Sequence, residues 1–338
     1  MKKSLLTFAL FTAFAASASA QTNVTVYGVV DAGISHTDDG TNARTALDSG
    51  IQSGSRLGFK GTEDLGGGLA AIFTLENGFG VDTGNAAQGG RLFGRQAFVG
   101  LKGGFGAVKL GRQYNPIRLA ANDVDPFGFG LAGNISNVFK VYGERADNTL
   151  NYETPNFGGF TGMLAYSFGE VPGSTSTGQQ IGASGNYVNG PVHLVLAYHR
   201  QNLVTGASVD NGEAKTTLLG GTYNFHIAKA YLAYAWNKGD TAAGIDNVDS
   251  NDMLIGVTAP LGQGALIASY IHRNDKLIDN GDTNMWAIGY TYALSKRTNL
   301  YTSYGKMKNN AAATLGFGSA VTAGNDPSTY NFGIRHTF

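Results

Sequence analysis

The residues able to do chemistry are charged side chains set at strand spacing. Arg56 and Lys60 stand opposite Leu57 and Phe59, because side chains two apart share a face of an extended chain. By the same parity Arg145 goes with Asp147, Thr149 and Asn151, opposite Leu150 and Tyr152, and Glu76 goes with Thr74, opposite Leu75. Around an aqueous space such groups act by field rather than by bond making. One charge shifts an ion 10 Å away by roughly 0.4 kcal/mol in water and about 1.7 kcal/mol at an effective dielectric constant of 20. Arg95 and Arg112 fit less simply, since alternation sets them with Val99 and Leu101 and with Val108 and Leu110. A bulge at Gly94 or Gly111, or a place beyond any apolar band, would accommodate them. Asp123 and Asp125 lie in the longest irregular stretch and would oppose the cations.

Other chemistry is thin. There is no HExxH pair and no phosphate loop ending in Gly-Lys-Ser/Thr. Gly66–Gly68 lie between two strands, where a nucleotide-binding turn would need a helix to follow. The six histidines are scattered; His193 and His199 share a strand face with no third ligand in sight. No cysteine is present, which removes disulfides and thiolate metal sites. Two aspartates fall short of the six to eight oxygens calcium takes. No cofactor and no catalytic residue is therefore expected. A Ser–His pair assembled only by folding stays open, which keeps a barrel enzyme acting on lipid as an alternative, beside an adhesin.

The elements that must carry these residues are strands. Val24, Val26, Val30, Ala32 and Ile34 alternate with Thr25, Tyr27, Asp31 and Ser35, and the same period recurs in Phe160–Phe168, Thr217–Phe225 and Trp286–Tyr292. Tyr330, Phe332, Ile334, His336 and Phe338 close the sequence on an aromatic, the mark of a terminal strand in an outer-membrane barrel. Around Tyr231–Trp236 and Ala265–His272 both faces carry bulky residues. Residues 1–20 read as a secretory signal peptide: Lys2 and Lys3, an apolar run from Leu5 to Ala16, and Ala18-Ser19-Ala20 at the exit. Residues 21–338 then form one barrel. Without the two leader lysines, 22 basic residues face 24 acidic ones, a balance that argues against a nucleic-acid partner.

Connection lengths sort by parity. Seven short turns, near Glu63–Gly67, Gly103–Phe105, Pro155–Gly159, Asn189–Pro191, His226–Ala228, Pro260–Gln263 and Leu294–Arg297, alternate with eight long polar stretches. The long ones include Thr37–Gly50, Phe79–Arg91, Tyr114–Gly143, Asn202–Gly212 and Met307–Asp326. The pattern predicts sixteen strands in an all-β, antiparallel transmembrane barrel with short turns on one side. In hydrocarbon an open strand edge costs several kcal/mol per bare group, so Val24–Ile34 should pair with Tyr330–Phe338. Sixteen strands leave a watery lumen, and an arginine aimed at lipid instead would cost roughly 2–4 kcal/mol at midplane. Tyr114–Gly143 carries Pro116, Pro126, Phe127, Phe129 and Leu131, an apolar cluster that a solvated loop does not need. It is expected to fold against the inner wall.

Val26-Tyr27-Gly28-Val29-Val30-Asp31-Ala32-Gly33 resembles the first strand of β-proteobacterial general porins, a Gram-negative outer-membrane family. Ser55-Arg56-Leu57-Gly58-Phe59-Lys60-Gly61-Thr62-Glu63-Asp64-Leu65-Gly66 is similar to their second hairpin. Leu92–Ala97, Leu110–Tyr114, Leu294–Thr298 and Gly333–Phe338 continue the likeness. The resemblance implies a sixteen-stranded homotrimer in the outer membrane, in contact with lipid and lipopolysaccharide, whose third loop folds inward. It would pass small hydrophilic solutes and inorganic ions. Carried over by motif, Arg56, Arg95 and Arg145 would line the constriction, with Arg112, Lys60, Glu76, Asp123 and Asp125 nearby. Inward cations in that number imply a modest preference for anions.

Overall fold

Alternation along each strand and antiparallel pairing between neighbours produce one closed ring. The computed structural model describes residues 23–140, 143–206 and 209–338; the expected signal peptide lies outside them. The strands are β1 (Asn23–Asp38), β2 (Ala43–Ser49), β3 (Arg56–Gly66), β4 (Leu69–Gly78), β5 (Gln96–Gly103) and β6 (Gly106–Tyr114). After the helix α1 (Pro116–Val124) come β7 (Arg145–Glu153), β8 (Phe160–Ser167), β9 (Gln180–Asn189), β10 (Val192–Thr205) and β11 (Val209–Asn224). The series ends with β12 (Lys229–Asp240), β13 (Asp246–Leu261), β14 (Gly264–Asp275), β15 (Thr283–Ala293), β16 (Thr298–Asn309) and β17 (Ser328–Thr337).

Both β2 and β3 pair with β1, β2 along Ala32–Asp38 and β3 along Asn23–Val29. They are two halves of one stave, interrupted at 50–55, so the seventeen strands make a sixteen-stave barrel. The seam is β1 against β17, antiparallel, with Val29 opposite Thr337 and Asp38 opposite Ser328. Gly28 and Phe338 exchange backbone hydrogen bonds at 3.1 and 3.2 Å, so the last residue is stitched into the ring and no bare edge is left at the seam.

The two faces divide as the pattern requires. Val26, Leu57, Val99, Leu164, Leu196, Leu219, Ile255, Trp286 and Phe332 are exposed on the outside. Asp31, Glu76, Asn151, Asn237, Ser269 and Asn331 are buried on the inside. An apolar outer belt over a polar interior is the arrangement a bilayer selects. All seven short turns fall where expected, on the side that also holds both ends of the ring. Two long stretches do not stay loops. Thr37–Gly50 is a hairpin with a tip at 39–42, and Asn202–Gly212 continues β10 and β11 beyond the belt. Strands wetted on both faces carry no apolar alternation, so their sequence looks like loop.

The stretch from Asn115 to Lys140 leaves β6 and lies along the inner wall. Asn115 precedes Pro116 at the first helical position, where a missing N–H costs nothing. Helix α1 buries Ile117, Ala120, Ala121 and Val124 in a cluster with Val195, Leu218, Ala233, Ala235 and Leu254. Phe127 and Leu131 join Ile267, Ala287 and Tyr301. Close approach needs a bare floor: a Cβ on Gly220 would come within 2.9 Å of Val124, and one on Gly256 within 2.6 Å of Pro126. This packing also accounts for the two stretches with bulk on both faces. In Tyr231–Trp236, Leu232 and Trp236 face outward while Ala233 and Ala235 lie under α1. In Ala265–His272, Ile267 and Ile271 do the same beneath the rest of the loop.

Candidate functional site

Side chains from β1, β4, β6 and β7 meet those of the inner loop's two ends around Glu76, Arg95 and Tyr114. Glu76 near the end of β4 is 4 % exposed and takes two donors. Tyr27 Oη reaches one oxygen at 2.9 Å, and Arg95 Nε the other at 2.7 Å. Arg95 is inward because the register breaks. Glu76 is paired with Gln96, yet its carbonyl takes the Arg95 N–H at 3.1 Å. Two residues thus face one, the geometry of a β-bulge. Arg95 Nη2 donates to Tyr114 Oη at 2.7 Å, and Arg145 Nη2 donates to the same oxygen, also at 2.7 Å. The Arg145 guanidinium lies 4.3 Å from the Tyr114 ring centre and pairs with Glu144 at 2.9 Å.

Arg118, on the first turn of α1, completes the group. Its guanidinium sits 3.3 Å from the Phe129 ring centre and 3.6 Å from Glu144. A cation held over an aromatic face out of water gains about 2 kcal/mol, which fixes it opposite the wall arginines. Arg56 donates to Ser53 Oγ at 2.7 Å and has no carboxylate within 4 Å among the described residues. Four guanidiniums therefore stand near Glu76 and Glu144, with Asp125 in electrostatic range of Arg118. Nothing in the group is arranged for proton transfer to a bound substrate.

Comparison with known proteins places this geometry. A family model described as Gram-negative porin matches residues 6–312. The chain belongs to the Gram-negative porin family. An outer membrane porin protein of Bordetella pertussis is 35 % identical, and outer membrane porin protein 32 of Delftia acidovorans 36 %, each over the full length of both chains. Among solved structures, the anion-selective porin from Comamonas acidovorans superposes with a TM-score of 0.86 at 34 % identity, covering 94 % of this chain and all of that one. The trimer form of OmpT from Vibrio cholerae, at 16 % identity and a TM-score of 0.73, shares the fold. This porin is an outer-membrane barrel for passive diffusion.

The porin gathers Arg56, Arg95, Arg145 and Glu76 in one zone and sends the remaining sequence candidates elsewhere. Arg112 keeps the side of Val99 and Leu110: it pairs with Ala97, and its guanidinium bonds the Gly94 carbonyl at 2.7 Å and Asp147 at 2.7 Å. Arg91 holds the other Asp147 oxygen at 2.8 Å. The irregularity expected at Gly111 is present, as the β6–β7 register shifts between Gly111 and Gln113, and Arg112 stands at it with Asp147 and Arg91 beside its guanidinium. Lys60 is exposed on the inner face four residues nearer the short turns than Arg56, 5.3 Å from the Tyr27 ring centre.

Neither aspartate of the loop faces the arginines as an opposing pole. Asp125 is enclosed and accepts three backbone N–H groups, from Phe127 at 2.9 Å, Phe129 at 2.7 Å and Ile135 at 3.2 Å. Burial pushes its carboxyl up to about 6 against those hydrogen bonds. It shapes the loop. Asp123 lies 3.9 Å from His193 near the start of β10, and burial raises its carboxyl as well. Sequence reasoning also missed Arg118, Tyr114 and Glu144 as members. The available signal was local: Asn115-Pro116 opens a helix, which puts Arg118 on its first turn, directly after the strand that ends at Tyr114.

Proposed function

We propose that this porin passes small anions in preference to cations, and that the collar of Arg56, Arg95, Arg118 and Arg145 is the cause. The observation that carries the reading is the charge count: four guanidiniums against Glu76, Glu144 and the enclosed Asp125, which is held by backbone N–H groups and acts on Arg118. The Comamonas acidovorans structure is that of an anion-selective porin, which agrees in sign. An excess of one to two charges at 10 Å gives about 0.4–0.8 kcal/mol for a monovalent ion in water-like surroundings. Anion and cation respond oppositely, so the expected preference is roughly fourfold to tenfold at low salt and much smaller once the Debye length falls to about 3 Å in 1 M salt. Reversal potentials across a planar bilayer in asymmetric potassium chloride test this; a cation-selective sign would overturn it.

The same barrel is proposed to act as a homotrimer, on the contrast between two sectors of its outer belt. Among the described residues the exposed tyrosines and tryptophans are Tyr198, Tyr223, Trp236, Tyr270, Trp286, Tyr292 and Tyr330, all between β10 and β17. The large apolar side chains that strands β1 to β6 expose are all aliphatic, among them Val24, Val26, Leu57, Val99, Leu101 and Leu110. Tyrosine and tryptophan seek the headgroup level, so the sector without them fits contact with copies of the chain, and the other fits lipid and lipopolysaccharide. Detergent-solubilised protein should have the mass of three chains, and a tryptophan placed at Val99 should prevent that assembly. A monomeric wild type would exclude the reading.

A further inference from the structure

The short-turn mouth of the barrel holds a second basic site, which adjoins the collar where Arg335 comes into electrostatic range of Arg56. A cavity of about 360 Å³ is lined by Arg335 of β17, Lys296 and Arg297 of the β15–β16 turn, and Asn299 and Gln52. None of the three cations has a carboxylate within 4 Å among the described residues. Asp31, which stands opposite Arg335 in the seam, is already occupied. Tyr301 Oη donates to one of its oxygens at 2.6 Å, and the Gln52 and Ser53 N–H groups donate to the other at 2.9 and 2.6 Å. Asn299 Nδ2 in turn donates to Gln52 Oε1 at 2.8 Å, which fixes the cavity's inner lip.

Three like charges around one hollow repel each other unless an anion joins them. A chloride ion meets such a site as a point. An oxyanion with two charges can take forked hydrogen bonds from the two guanidiniums and a third from the ammonium. We propose that this cavity is a binding site for a small oxyanion carrying at least two negative charges, of the class of inorganic phosphate, held at the short-turn end of the path. The site deepens the anion reading above and rests on it: ions that clear the collar meet a second, tighter station before leaving.

Inorganic phosphate is the probe, added in increasing concentration to single channels carrying a chloride current. Wild-type current should fall along a saturable curve. Lys296→Gln/Arg297→Gln/Arg335→Gln should raise the half-blocking concentration at least fivefold. If that variant does not insert, Lys296→Gln/Arg297→Gln, confined to an exposed turn, should raise it at least twofold. An unsaturable response in the wild type, or the same half-blocking concentration in the variant that inserts, overturns the site. Reversal potentials in plain potassium chloride from the same channels separate the two readings. Anion preference with phosphate block insensitive to these residues removes the cavity alone, whereas cation preference removes both.

Discussion

Exchanging Arg56 for glutamate is expected to change the anion-to-cation permeability ratio by somewhat more than tenfold at low salt. Arg56 is the cleanest member of the collar to change, because its one side-chain partner is Ser53 Oγ and its loss leaves no buried carboxylate alone. The exchange alters the local charge by two units. At 10 Å in water-like surroundings each unit is worth about 0.4 kcal/mol to a monovalent ion. Anion and cation move in opposite senses, so their difference shifts by about 1.7 kcal/mol, where 1.4 kcal/mol is tenfold. The measurement belongs near 0.01 M salt, where the Debye length is about 30 Å, and the effect should shrink sharply at 1 M. Arg112→Gln supplies the contrast. That side chain bonds Asp147 and the Gly94 carbonyl on the other side of the sheet, so selectivity should hardly change. An Arg56→Glu channel with wild-type reversal potentials would remove the collar from the account of selectivity.

The same contrast shows what sequence could and could not tell. Arg56 was legible because β3 alternates strictly through it, Leu57 outward and Arg56 inward. Arg95 and Arg112 look alike in sequence, each on the apolar parity of its strand. They part only in space, because a bulge opposite Glu76 turns one inward while the other stands at the Gly111 irregularity beside Asp147 and Arg91. A bulge is one residue of slippage, and period-two counting has no term for it. The ring itself was easier. Strand number, the short turns and the seam all follow from repeated alternation and from the cost of an open edge in lipid. The loop was legible in outline, since its apolar residues needed a surface. The roles of its charges were not. Asp125 and Arg118 differ in what they meet after folding: three backbone N–H groups for one, Phe129 and Glu144 for the other.

Replacing Asp252 by alanine should destabilise the barrel by about 3–5 kcal/mol and loosen the inner loop, the largest stability effect expected of a single change. Asp252 is fully buried on the inner face of β13 and pairs with Arg273 of β14 at 2.9 Å. Truncation would leave Arg273, 3 % exposed, without its charge partner, and an uncompensated buried charge carries that cost. The second consequence concerns function. Asp252 also takes the Lys140 N–H at 3.1 Å, and Thr216 Oγ1 donates to the Lys140 carbonyl at 2.9 Å. These bonds pin the returning arm of the loop across the wall from α1. The apolar cluster under Ile117 and Val124 holds the outgoing arm and is untouched, so the loop should stay inside with its far end mobile. Excess noise in the open-channel current and trypsin cleavage at Lys140 are the expected signs, together with a lower unfolding temperature in detergent. Asp252→Asn separates the two effects: it keeps an acceptor for the Lys140 N–H while removing the charge. It should lose stability like the alanine variant but show a quieter channel; equal noise in both would mean that the loop is held by its apolar face alone.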